Sequence, residues 1–149
     1  MDVVQFEEKI IKGISTRTNN ADEMNTDTAK IATLYNNFDE KVPVDYKNGA
    51  CVYGVYFNYE SDALGEFSVL AGADKLSTEN LADLEDIILQ SGKYMVFKNT
   101  GEMPQAVIET WGEIWAYFSD QNLEYQRAYL TDFEFYKNQN EVEVYIGIK

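Results

Sequence analysis

The chain has 149 residues, 45% of them hydrophobic and 26% charged, which suits one buried core and is unlike a disordered or fibrous sequence. Acidic residues outnumber basic ones 26 to 12, and the resulting formal charge of −14 repels phosphate backbones, so nucleic acid is not an expected partner, whereas cations are attracted. There is no histidine and a single cysteine, Cys51, which excludes histidine-based nucleophile pairs, histidine metal sites and an internal disulfide.

No apolar run reaches the roughly 18 residues that cross a bilayer, and acidic residues come early (Asp2, Glu7, Glu8). No membrane partner is expected, and the cytoplasm is the expected compartment. No cofactor or metal is expected either, because neither a glycine-rich phosphate loop nor a paired-cysteine motif occurs. The acidic group Glu79, Asp83, Glu85 and Asp86 has no calcium-loop spacing and reads as a solvated loop.

In chain order, residues 3–18 are rich in Val, Ile, Phe and Thr and read as one long strand bent at Gly13. A helix follows, with Asn25 or Thr26 as its cap, Asp27 in the first turn and Ile31, Leu34, Tyr35 and Phe38 as its apolar stripe. Pro43 marks its exit. Residues 52–59 and 66–73 read as a hairpin, with Phe67, Val69, Ala71 and Ala73 alternating toward one face.

After a connector at 74–83 come strand-like 84–89, a turn at Gln90-Ser91-Gly92, and strand-like 93–99. The second helix takes Pro104 as its first position, carries Ile108, Trp111, Trp115 and Phe118 as its stripe, and ends near Asp120. A last hairpin joins 132–136 to 142–149 through a polar turn.

This order repeats: leading strand, helix and hairpin over 1–73, and the same again over 84–149. The best local match sets Tyr53-Gly54-Val55-Tyr56 against Phe133-Glu134-Phe135-Tyr136. Two such halves in one domain spanning 1–149 give an α+β fold, an antiparallel sheet with two main helices on one face and a cleft at the repeat junction.

The runs Gly101-Glu102-Met103-Pro104-Gln105-Ala106-Val107-Ile108-Glu109-Thr110-Trp111, Thr131-Asp132-Phe133-Glu134-Phe135-Tyr136 and Glu141-Val142-Glu143-Val144-Tyr145-Ile146-Gly147 resemble the GyrI-like effector-binding family. The upstream pieces Glu23-Met24-Asn25, Thr28-Ala29-Lys30-Ile31 and Val52-Tyr53-Gly54-Val55-Tyr56 resemble its stand-alone branch, which includes the integron-associated effector-binding proteins. The resemblance implies a tandem β-α-β-β fold and a small-molecule ligand. It also implies that Glu134, on the strand after the second helix, is the acid that meets a cationic ligand. Regulators of the family carry a DNA-binding domain that is not found in these 149 residues.

Among candidate ligand-binding residues, Glu134 shares a strand face with Tyr136, and a carboxylate there, desolvated and unpaired, would be relieved by an organic cation. Trp111 and Trp115 lie one helical turn apart, with Trp111 the expected ligand wall and Trp115 either core or wall. Tyr53 and Tyr56 point to opposite faces, so at most one joins the site; the internal match favours Tyr56, with open space over Gly54, and a slip of register favours Tyr53. Tyr145 is open in the same way.

Three functions fit. The first is reversible binding of a hydrophobic cation for sensing or sequestration. The second is hydrolysis of a strained electrophile with Glu134 as general base. The third is inhibition of a protein partner through an acidic surface.

Overall fold

A computed structural model of the chain describes residues 2–78, 84–120 and 122–149. Glu79 and Asp83 of the acidic group lie outside the described residues. The described elements are β1 (Asp2–Phe6), β2 (Lys9–Thr18), α1 (Asn20–Glu23), α2 (Ile31–Lys41), β3 (Val52–Phe57), β4 (Phe67–Ala73), β5 (Glu85–Leu89), β6 (Gly92–Thr100), α3 (Gln105–Phe118), β7 (Arg127–Asn138) and β8 (Glu141–Ile148).

The strands form one antiparallel sheet in the order β1-β6-β8-β7-β3-β4-β2-β5. Exchanging β1–β4 with β5–β8 turns that order into its own reverse, so the ladder is symmetric about the β7/β3 pair. At the centre of that pair Gly54 faces Glu134, the two residues that the internal sequence match sets in equivalent places.

The first run of β structure is broken at Glu7-Glu8 and not at Gly13. The break is topological: β1 pairs with β6 at one end of the sheet, and β2 pairs with β4 and β5 at the other. In a flat sheet strands six places apart lie about 29 Å apart, and three residue steps reach only about 10 Å. The Gln90-Ser91 link between β5 and β6 spans the same two ends, so these strands are not a hairpin. The sheet therefore curls until its ends approach.

The helix-free face closes on itself around Ile11, Tyr53, Val55, Leu70, Leu89, Tyr94 and Phe133. Gly13 serves close packing, since a Cβ there would fall 2.0 Å from the Ala71 carbonyl oxygen.

Both longer helices lie on the other face. In α2, Leu34 and Phe38 are buried against Val69, Ala71 and Ala73. Its start departs from the expectation of an Asn25 or Thr26 cap. The helix begins at Ile31, and the Glu23 carboxylate accepts from the Lys30 and Ile31 backbone N–H groups at 2.9 and 3.2 Å. A negative group there satisfies orphan donors and suits the helix dipole. Glu23 is placed by the one-turn helix α1, which Asn19 caps.

In α3, Pro104 stands just before the first turn, and the buried face is Ala106, Val107, Thr110 and Ile114. The expected stripe is rotated by one residue, about 100°: Ile108 and Trp115 are exposed, and Trp111 and Phe118 sit at the flank of the buried face. No helix among the described residues is long and apolar enough to cross a membrane.

Candidate functional site

Glu134 is 3% exposed at the centre of the sheet, on the face that carries the helices. Opposite it, Gly54 contributes no side chain, and a Cβ there would lie 2.6 Å from Glu134 Oε1 and 2.2 Å from the Tyr35 hydroxyl. The carboxylate accepts four hydrogen bonds, two at each oxygen. Oε1 accepts from the Tyr35 hydroxyl at 3.2 Å and the Tyr136 hydroxyl at 2.7 Å. Oε2 accepts from the Tyr56 hydroxyl at 2.8 Å and from Trp111 Nε1 at 2.7 Å.

No basic side chain lies within ion-pairing distance of Glu134 among the described residues. The negative charge is thus hydrogen-bonded but not neutralised. Burial, followed by the charge of Glu134, raises the Tyr35, Tyr56 and Tyr136 pKa values well above the ordinary phenol value, so these groups stay protonated donors.

The next inward residue of β7 on this face, Asp132, is fully buried and already neutralised. Arg127 donates to its Oδ2 at 2.8 Å, Tyr59 donates to the same oxygen, and the Gly147 N–H donates to Oδ1 at 2.8 Å. Burial opposes the Arg127 charge, but Asp132 together with Tyr59 and Tyr129 outweighs it, and the pKa of Arg127 rises. Its guanidinium lies 4.4 Å from the Tyr129 ring centre and 5.9 Å from that of Trp111. Tyr129, at φ 53°, marks the irregular stretch of β7 between Arg127 and Asp132, a stretch of strand that residue pattern did not reveal.

The structure brings Tyr56, Trp111 and Tyr136 to Glu134. Trp111 packs against the hydrophobic clusters beneath both α2 and α3, and its ring meets Tyr56 edge-on at 5.1 Å. Trp115 lies outside it, 46% exposed, with ring centres 6.3 Å apart. It is neither core nor in contact with the carboxylate.

Tyr53 and Tyr145 are on the opposite face. Tyr53 accepts from Lys9 Nζ at 3.1 Å, and Tyr145 stacks on Phe133 at 4.5 Å. β3 is buried on both faces, so polarity gives no clue to which way Tyr53 turns; in β8 the alternation of Glu141, Glu143 and Tyr145 with Val142, Val144 and Ile146 sets Tyr145 on the half-buried face.

The expected space over Gly54 is filled by the hydroxyl of Tyr35. Tyr35 sits on the apolar stripe of α2 and was not among the expected site residues. A hydroxyl on that stripe together with a glycine opposite Glu134 is the sequence signal that points to it. The four donors cover the carboxylate between the halves. Two shallow hollows of about 250 and 270 Å³ lie elsewhere, one beside Val96 and Glu113 and one beside Lys12 and Asp74.

An antiparallel sheet with internal two-fold order and two helices on one face is the fold of the effector-binding class of α+β proteins. The chain belongs to the integron-associated effector binding protein family, whose pattern it matches over residues 2–148. It is 43% identical to the integron cassette protein VCH_CASS2 from the mobile metagenome of Vibrio cholerae, with a TM-score of 0.90 over 99% of this chain and 95% of that one.

SAV2435, whose structure is bound to tetraphenylphosphonium, shares the fold at 21% identity, with a TM-score of 0.73 over 99% of this chain and 93% of its own. YobU of Bacillus subtilis strain 168, which its name assigns as a transcriptional regulator, is 28% identical over 160 aligned positions, 99% of this chain and 96% of YobU.

Proposed function

We propose that the chain reversibly binds a hydrophobic organic cation at the junction of α2, α3 and the central strands, with Glu134 as the counter-charge, for sensing or sequestration. The observation that carries this reading is a buried carboxylate with four neutral donors and, among the described residues, no basic partner. A buried charge without a counter-ion costs several kcal/mol, which a bound cation offsets.

Trp111, Tyr56, Tyr35 and Tyr136 supply ring faces that attract a desolvated cation by about 0.5–2 kcal/mol each. The tetraphenylphosphonium ion held by SAV2435 is a molecule of this kind. The ligand settles against the half-buried Tyr35 and Trp111 rings, over the hydrogen-bonded carboxylate. Glu134 is poorly arranged as a general base, because each oxygen already accepts two hydrogen bonds and a water proton finds no free position.

The test is calorimetry with tetraphenylphosphonium and tetraphenylborate, which match in shape and differ in charge sign. The cation should bind and the anion should not, and Glu134→Gln should weaken the cation by about 1–3 kcal/mol. Equal affinity for the two ions, or a cation affinity unchanged in Glu134→Gln, refutes the reading.

A further inference from the structure

We infer that this site selects among cations by hydrogen-bonding capacity, taking those with no N–H donor, such as quaternary ammonium ions, over primary ammonium ions of the same framework. The inference rests on Glu134 being the ligand's counter-charge. An ionised carboxylate offers about four lone-pair positions. All four are in use, by Tyr35 and Tyr136 on Oε1 and by Tyr56 and Trp111 on Oε2.

A primary ammonium brings three N–H donors that were bonded to water. To reach a carboxylate oxygen it must displace one of the four resident donors, and that donor is then stranded in a buried place. Trp111 cannot adapt, because an indole N–H only donates. Without displacement the ammonium meets only the neutral phenol oxygens of Tyr35, Tyr56 and Tyr136. A quaternary cation has no donor to satisfy: it feels the field of the carboxylate and the surrounding ring faces and leaves the four bonds intact.

The experiment measures binding of 4-phenylbutyltrimethylammonium and 4-phenylbutylammonium, both singly charged at pH 7, by calorimetry. Wild type should prefer the quaternary ion by roughly tenfold or more, since one stranded donor is worth that much. The extra methyl groups alone would also favour the quaternary ion, so the decisive reading is the change in the ratio when a lone-pair position is freed.

Tyr35→Phe removes the longest of the four bonds from a half-buried position, and Tyr136→Phe provides a second case. In both, the primary ammonium should gain affinity while the quaternary ion changes little, so that the ratio falls roughly fivefold or more. A ratio that is the same in wild type and both variants overturns the inference and leaves the cation reading standing. Failure of both ions and of tetraphenylphosphonium to bind wild type overturns the two together.

Discussion

Replacing Glu134 by Gln and by Leu should separate two contributions that the wild type combines. Gln keeps one acceptor oxygen and turns the other into a donor. Because Trp111 Nε1 can only donate, the amide oxygen must face Trp111 and Tyr56, and the amide nitrogen must face Tyr35 and Tyr136, whose hydroxyls can turn round and accept. Every polar group then keeps a partner. Four bonds weaken from roughly 1.5–3 kcal/mol to roughly 0.5–1.5 kcal/mol, but an unneutralised buried charge costing several kcal/mol is removed.

The expected net change for Glu134→Gln is within about 2 kcal/mol of wild type. Leu fills similar space and accepts nothing. The bonds to Oε2, at 2.7 and 2.8 Å, come from Trp111 and the buried Tyr56, so at least these two donors are stranded. At about 1–3 kcal/mol each, the loss is roughly 2–6 kcal/mol, a large part of the 5–15 kcal/mol typical of a whole domain. Urea unfolding followed by tryptophan emission and far-ultraviolet circular dichroism measures both. Adding Tyr56→Phe to Glu134→Leu should restore part of the loss, because the stranded donor is gone. Equal stability of the Gln and Leu variants refutes the reasoning.

Gly54→Ala places a methyl group 2.2 Å from the Tyr35 hydroxyl and should cost about 1–3 kcal/mol, with Tyr35→Phe in the same chain recovering much of it in thermal melts. Arg127→Met leaves Asp132 buried without its cation and should destabilise by about 3–5 kcal/mol in denaturant unfolding; a loss below 1 kcal/mol contradicts this account.

At alkaline pH, Tyr35, Tyr56, Tyr59 and Tyr136 keep in the folded state protons that the unfolded chain releases near pH 10. Stability should therefore be level below that pH and fall above it, by up to about 1.4 kcal/mol per pH unit for each. Phenolate absorbance from these groups should appear only with unfolding, and their titration near pH 10 in an intact fold would count against the prediction.

Much of the fold was legible because its hairpins alternate and its helices carry apolar stripes. The Gly54 and Glu134 correspondence was legible from an offset that places both in equivalent strands. What failed did so for identifiable reasons. The Glu7-Glu8 break lay in plain charge inside an apolar run, but only the exchange of strands between the sheet's ends explains it. On α3 the aromatic residues suggested the buried face, yet Val107, Thr110 and Ile114 are the buried stripe and Trp115 is left outside. Tyr53 could not be assigned a face because both faces of β3 are buried, whereas Tyr145 shares the Glu141 and Glu143 face of an alternating strand, a signal that was there to read; Tyr35 looked like core because a phenol ring is apolar along most of its length.

The four donors also divide by half. On Oε1, Tyr35 comes from the first half and Tyr136 from the second; on Oε2, Tyr56 comes from the first and Trp111 from the second. Tyr56 and Tyr136 each follow the central Gly54/Glu134 pair by two residues, and Tyr35 and Trp111 come from the two longer helices. A two-fold frame brings equivalent residues together at its axis, and a glutamate on each strand there would set two like charges side by side. Glycine on one strand removes that conflict and leaves room for a single carboxylate, while Arg127 is held by Asp132 and does not reach it. The symmetry therefore supplies matched neutral donors from both halves, and the one asymmetric substitution at its centre supplies the charge.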